Sequence, residues 1–380
     1  MLGDLRRQFD IPRGICYLKS AYMGPQPKCV IEAAIEGARR RSQPWRIAPI
    51  DFFTEVEQLR TEFARVIGCS PDNIAIVPSA SYGAATAARN LNVQSGDAIL
   101  MIDEQFPSNY YVWKRATDEA GANIVFARPE AGQDWTSATL AQIENNIGRI
   151  KIATLEQHHW LSGENIDLPT ICDVLRAAGA SVVLDLTQTV GVFPVDLSAL
   201  DPDFVLVSSY KWLLCPYGLS FLYVADRHLG GIPIEENWAS RLGSEDFSQL
   251  AQYTDQYQAG ARRFDVGQRA SFSNVAAGIA ALSLLNEWGA SGISEMLGAT
   301  NLAIAKILGE FGFTMPPPET RAPHIQSARP GSGNARDIAA ALGAENVFVS
   351  HRGDDLRFAP HVYNDAEDLE RLRAALDKAI

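Results

Sequence analysis

The chain has 380 residues, 47% of them hydrophobic, which supplies more apolar mass than one core usually absorbs, so a large unit with a smaller one beside it is expected. A net charge of -12 and a pI near 5.0 argue against nucleic acid or an anionic membrane as a partner, because either needs clustered Lys and Arg. The five cysteines, Cys16, Cys29, Cys69, Cys172 and Cys215, show no CxxC pair and no metal-cage spacing, and neither a leader segment nor a bilayer-spanning stretch is visible, so a cytoplasmic protein with reduced thiols and no metal is expected.

Residues 15–18 read as a short strand running into the Gly24-Pro25 turn, either an arm that reaches a site or a plain turn. A helix is predicted over 28–42, with Arg39-Arg40-Arg41 as its solvated end. Residues 51–67 keep a helical apolar stripe up to Gly68. Strands at 74–77, 98–102, 123–127 and 150–155 then alternate with helices at 81–91, 107–120, 136–146 and 168–178. Further strands end at Asp185 and before Lys211, and another covers 219–224.

Beyond residue 230 the periodicity fades, and an Ala-rich helix near 274–288 opens a second region. A helix over 293–309, the Pro316-Pro317-Pro318 loop, short strands near 323–327, 346–350 and 355–359, and a helix from Asp365 complete it. The expected fold is α/β, a large domain with a mostly parallel seven-stranded sheet flanked by helices, plus a smaller α+β C-terminal domain. The expected boundaries are an arm over 1–15, a large domain over 16–270 and a small domain over 271–380.

Three groups leave strand ends, where an open parallel sheet has its ligand crevice. Val77-Pro78-Ser79-Ala80-Ser81 opens a helix, so its free amides and hydroxyls suit a phosphate, although small residues there also serve as an ordinary N-cap. Asp185 follows Val182-Val183-Leu184, and Ser208-Ser209-Tyr210-Lys211 follows Phe204-Val205-Leu206-Val207. A lysine among apolar walls loses hydration of its ammonium form, which frees the amine as a nucleophile. Phosphate donors, a carboxylate for a pyridinium nitrogen and a lysine for a Schiff base together are what pyridoxal 5'-phosphate requires.

Ser208-x-Tyr210-Lys211-Trp212, the following Pro216-Tyr217-Gly218, and Asp185-x-x-Gln188 resemble the fold-type-I pyridoxal-phosphate enzymes of the class V aminotransferase group. That group includes kynureninase, cysteine desulfurases and isopenicillin N epimerase-like proteins. The resemblance implies that Lys211 forms the Schiff base, Asp185 pairs with the pyridine nitrogen and Gln188 meets the ring hydroxyl. It gives Ala80, Ser81, Ser208 and Tyr210 to the phosphate and Phe106 to the ring face, and makes Arg357 the α-carboxylate ligand. Trp160 or His159 would line the substrate side. Gln268, in a segment that in relatives reaches the partner subunit's phosphate, stands where several relatives have Thr, and a homodimer is implied.

The bond broken at Cα is a separate matter, because the cofactor sets only where electrons go. Ser350-His351-Arg352-Gly353-Asp354-Asp355 holds no thiol, which argues against cysteine desulfuration. Trp238 stands alone where kynureninase carries a tryptophan pair. Transamination of a small amino acid is the expected activity, with kynureninase-like hydrolysis or C-S elimination, then epimerisation, as alternatives and a catalytically silent binding protein as the least favoured.

Overall fold

The computed structural model describes residues 5–380, so the first four residues of the expected arm lie outside the described residues. Its strands in chain order are β1 (Cys16–Tyr17), β2 (Ile74–Val77), β3 (Ala98–Ile102), β4 (Asn123–Ala127), β5 (Ile150–Leu155) and β6 (Ser181–Asp185). They continue with β7 (Phe204–Ser208), β8 (Ser220–Val224), β9 (Gln326–Ala328), β10 (Val347–Phe348), β11 (Ser350–Arg352) and β12 (Asp355–Phe358).

Seven of them form one sheet in the order β2-β8-β7-β6-β5-β3-β4, with β8 antiparallel to both neighbours and every other pair parallel. Each residue of β2 and β3 is buried, as expected for strands covered by helices on both faces. The helix Thr54–Ile67 turns Val56, Leu59, Phe63 and Ile67 inward and ends at Gly68, whose φ of 75° is the left-handed conformation that costs glycine least. Because β2, β5, β6 and β7 all run the same way, their carboxyl ends deliver Pro78, Glu156, Leu186 and Ser209 to one edge of the sheet.

In the C-terminal region β11, β12 and β9 form an antiparallel sheet, and β1 pairs in parallel with β10. The apolar clusters do not divide at residue 270. Val275, Ala281, Leu282 and Leu285 of the helix Phe272–Trp288 belong to the core of the large sheet, whereas Cys16 and Leu18 are buried with Ile304, Leu342, Leu356 and Leu372. One helix, Ala335–Ala344, was not expected from the pattern. It spans only ten residues behind a Gly/Ser-rich loop, and Asn334 caps it by accepting from the amides of Arg336 and Asp337.

The segment 260–269 is tied to the sheet edge by a buried ion pair. Arg60 donates to both oxygens of Asp265 at 2.7 and 3.1 Å, Asp265 also accepts from the Ile76 amide at 2.8 Å, and Arg269 lies 3.2 Å away. Removing Asp265 leaves buried Arg269 without its carboxylate and Arg60 with only Glu57 at 3.2 Å, so Asp265→Ala should destabilise the fold by about 3–5 kcal/mol in urea unfolding. A loss below 1 kcal/mol would show that the pair adds no net stability.

Candidate active site

One cavity opens at the carboxyl edge of the sheet, lined among others by Ser79, Ser81, Phe106, Glu156, Asp185 and Lys211. At one end Ser79 caps the helix Ala80–Asn90, accepting from the Tyr82 amide at 3.1 Å, and its hydroxyl meets that of Ser81 at 2.8 Å. The free amides and the helix dipole make this end attractive to an anion. Ser208 and Tyr210 line the same cavity from the end of β7.

Asp185 closes β6 and accepts from the Thr187 amide at 3.0 Å. Burial raises its pKa, while Thr187 and Lys211 act in the opposite direction. Lys211 is 6% exposed, and its Nζ lies 5.3 Å from the centre of the Phe106 ring and 5.8 Å from that of Tyr210. Desolvation, with Arg357 adding to it, brings Lys211 down to about 8 against the pull of Asp185 and Glu156. Its backbone is held from the other side by residue 24. The Gly24 amide donates to the Tyr210 carbonyl at 3.0 Å, and a Cβ there would lie 2.0 Å from the Lys211 carbonyl oxygen, so only glycine fits.

Gln188 lines the cavity with its amide already engaged, donating to the Ala21 carbonyl at 3.3 Å and accepting from Trp212 Nε1 at 2.7 Å. Trp160 stands at the rim with its indole N–H on the Glu104 carbonyl at 2.8 Å and its ring edge-on to Phe106 at 5.2 Å. Arg357 is only 2% exposed, does not form part of the cavity wall, and donates to the Trp160 carbonyl from behind.

Two expected residues sit elsewhere. His159 turns away from the cavity, packs on Trp135 at 4.2 Å and shares a hydrogen bond of 3.0 Å with Ser162 in the turn that follows β5. His158 is also sequestered, against Thr189, Phe193 and His324. Gln268 lies on a separate surface cavity with Arg41, Phe52 and Trp238. Conversely, Glu156 was missed. It follows the apolar end of β5 as Asp185 ends β6, with Leu155 in register with Leu184, and the same rule of a polar residue after a buried run would have found it. It is 4% exposed, its Oε1 has no hydrogen-bond partner, and burial beside Asp185 pushes its pKa well above the carboxylate range.

The donor set fits pyridoxal phosphate. Hydroxyls and helix amides at one end suit a phosphate, the Phe106 ring offers a face for a flat heterocycle, and buried Asp185 offers a carboxylate to a protonated ring nitrogen. A buried lysine lines the cavity beside them, and the Glu156 oxygen, unpartnered among the described residues, offers a polar contact to a ligand.

Comparison with known proteins agrees with that chemistry. The family model described as Aminotransferase class-V matches residues 16–372. The uncharacterized aminotransferase YcbU of Bacillus subtilis is 29% identical over 331 residues, covering 85% of this chain and 83% of its own. Isopenicillin N epimerase of Streptomyces clavuligerus is 24% identical, covering 93% and 92%. Among solved structures, a lysine-to-alanine mutant of C-DES with glycine covalently linked to its PLP cofactor superposes with a TM-score of 0.85 at 22% identity, covering 98% of each chain. At that identity the likeness concerns the fold.

Proposed function

The chain belongs to the class-V aminotransferase family of pyridoxal-phosphate-dependent enzymes, and from that premise we propose that it is an aminotransferase acting at the α-carbon of a small amino acid. When bound, pyridoxal phosphate supplies an aldehyde for an amino group and a ring that accepts electrons released at Cα. Ala80, Ser81, Ser208 and Tyr210 hold its phosphate, Phe106 covers the ring, Asp185 meets the ring nitrogen and Gln188 the ring hydroxyl. Trp160 at the rim and Arg357 behind it receive the substrate. The observation that carries the reading is Lys211, a buried amine in the cavity wall with Asp185, Glu156 and Phe106, whose desolvation lowers its pKa and lets Nζ take and return a proton. Transamination asks for one such base at Cα and no second group on the opposite face.

The test is a panel of amino acids with and without a 2-oxo acid acceptor. Transamination predicts a new 2-oxo acid and a new amino acid in equal amounts, and only with acceptor present. Ammonia released without acceptor, sulfide released from cysteine, or solvent deuterium entering Cα with neither product would overturn it in favour of elimination, desulfuration or epimerisation. We further read the protein as a cytoplasmic homodimer whose partner covers the face bearing Gln268, where Trp238, Phe247 and Leu250 are exposed. A monomer by light scattering would contradict that.

A further inference from the structure

Three cations lie on one face of the C-terminal sheet, two of them over the ring of Trp160 at the rim of the cavity. In the antiparallel pair β11–β12, Arg357 lies opposite Ser350 and Arg352 is two residues beyond Ser350, so Arg352 and Arg357 share a face. Lys19 of the N-terminal segment bridges to Ala359, two residues beyond Arg357, which brings its side chain to the same face, while Leu18, Leu356 and Phe358 turn to the core behind. Both guanidinium groups lie over the Trp160 ring, at 6.0 Å for Arg352 and 5.9 Å for Arg357.

Among the described residues, none of the three has a carboxylate within ion-pair distance. Asp355, which shares the face, is turned to Arg329 at 2.7 Å. Arg357 Nε and the buried Ser350 hydroxyl also lack partners. Lys19 and Arg357 are both shifted down, first by burial and then by the neighbouring guanidinium groups, with Arg357 brought to about 9. Like charges gathered in a partly dehydrated rim repel, and the arrangement becomes favourable when anionic groups enter. One α-carboxylate neutralises one of the three.

We propose that the substrate is an amino acid carrying a second carboxylate on its side chain, with Arg357 and Ser350 receiving the α-carboxylate and Arg352 and Lys19 the other. This rests on the reading of the protein as an enzyme of amino acids and adds the substrate class. A planar guanidinium fork over an indole face suits a carboxylate, and leaving it unpaired against an uncharged analogue is what creates selectivity.

The test follows the change in cofactor absorbance of the holoenzyme as aspartate, asparagine, glutamate and glutamine are titrated, in wild type, Arg352→Gln and Lys19→Gln. The wild type should bind the acid of each pair about 10- to 100-fold tighter than its amide, the range expected for charge pairing in a partly buried site, and each variant should bring that ratio toward one. Lys19 and Arg352 come from distant parts of the chain, so a folding defect in one leaves the other to report. Equal affinity for acid and amide in the wild type, or an unchanged ratio in both variants, would overturn the proposal while leaving the aminotransferase reading in place. A cofactor band that no amino acid perturbs would overturn that reading and this one with it.

Discussion

Lys211→Ala is expected to bind pyridoxal phosphate without a covalent link and to turn over at least about 10³-fold more slowly than the wild type, the scale of a lost general base that is also the nucleophile. Borohydride treatment of the wild-type holoenzyme should fix the cofactor on the peptide containing Lys211, and the variant should release it on denaturation. The expectation follows from placement. Lys211 is 6% exposed, stands beside Asp185 and Glu156 and has Phe106 within 5.3 Å, and the described residues place no other lysine in the cavity wall. A wild type that takes up no cofactor, or a variant that still fixes it covalently, would defeat the assignment.

Acid should unfold the protein early. His158, His159, His324 and His361 are buried and held neutral, His159 and His361 at about 4, His324 at about 3 and His158 well below its ordinary value, each chiefly by desolvation. In the unfolded chain each titrates near ~6.5. From there down to the folded values the unfolded chain binds more protons, so folding loses stability as pH falls, each histidine contributing up to about 1.4 kcal/mol per pH unit. Glu156, Asp185 and Asp368 act the other way. Their raised values keep protons on the folded state that the unfolded chain sheds, so their cost grows as pH rises through the ordinary carboxylate range.

Four histidines stand against three carboxylates, so the expected balance is a loss of stability as pH falls from roughly 6.5 to 4.5. Urea midpoints of the apoprotein should fall steeply over that interval, and Glu156→Gln, which removes one opposing group, should make the fall steeper. A midpoint constant from pH 6.5 to 4.5 would mean that these histidines are not held neutral.

The parts of this molecule that were legible in its sequence are those in which one strand and its next residue carry the information. A run buried on both faces has no reason to end in Asp185 or in Ser208 to Lys211 unless the chain is leaving the sheet, and parallel strands leave it at one edge. The cationic rim was not legible. It depends on the register of Ser350 with Arg357 and of Lys19 with Ala359, pairings between segments more than 300 residues apart in the second case. His159 could not be placed either, since alternation tells which neighbours oppose each other and not which of them faces the ligand. Glu156 was hidden by its context, a polar residue before two histidines that drew attention to themselves.

The pairing of β1 with β10 also sets an order of assembly. Cys16 and Leu18 complete an apolar cluster whose other members come from residues 304–376, and Arg6 pairs with Asp368 at 2.6 Å. As the chain leaves the ribosome, the large sheet can form largely from its own segments and can already hold Ala21 and Gly24, whereas Cys16 and Leu18 have no partner cluster until the last strands and helix emerge. Final closure waits for a long-range contact between two ends of the polypeptide, and the slow step of maturation should lie there, after the sheet has folded.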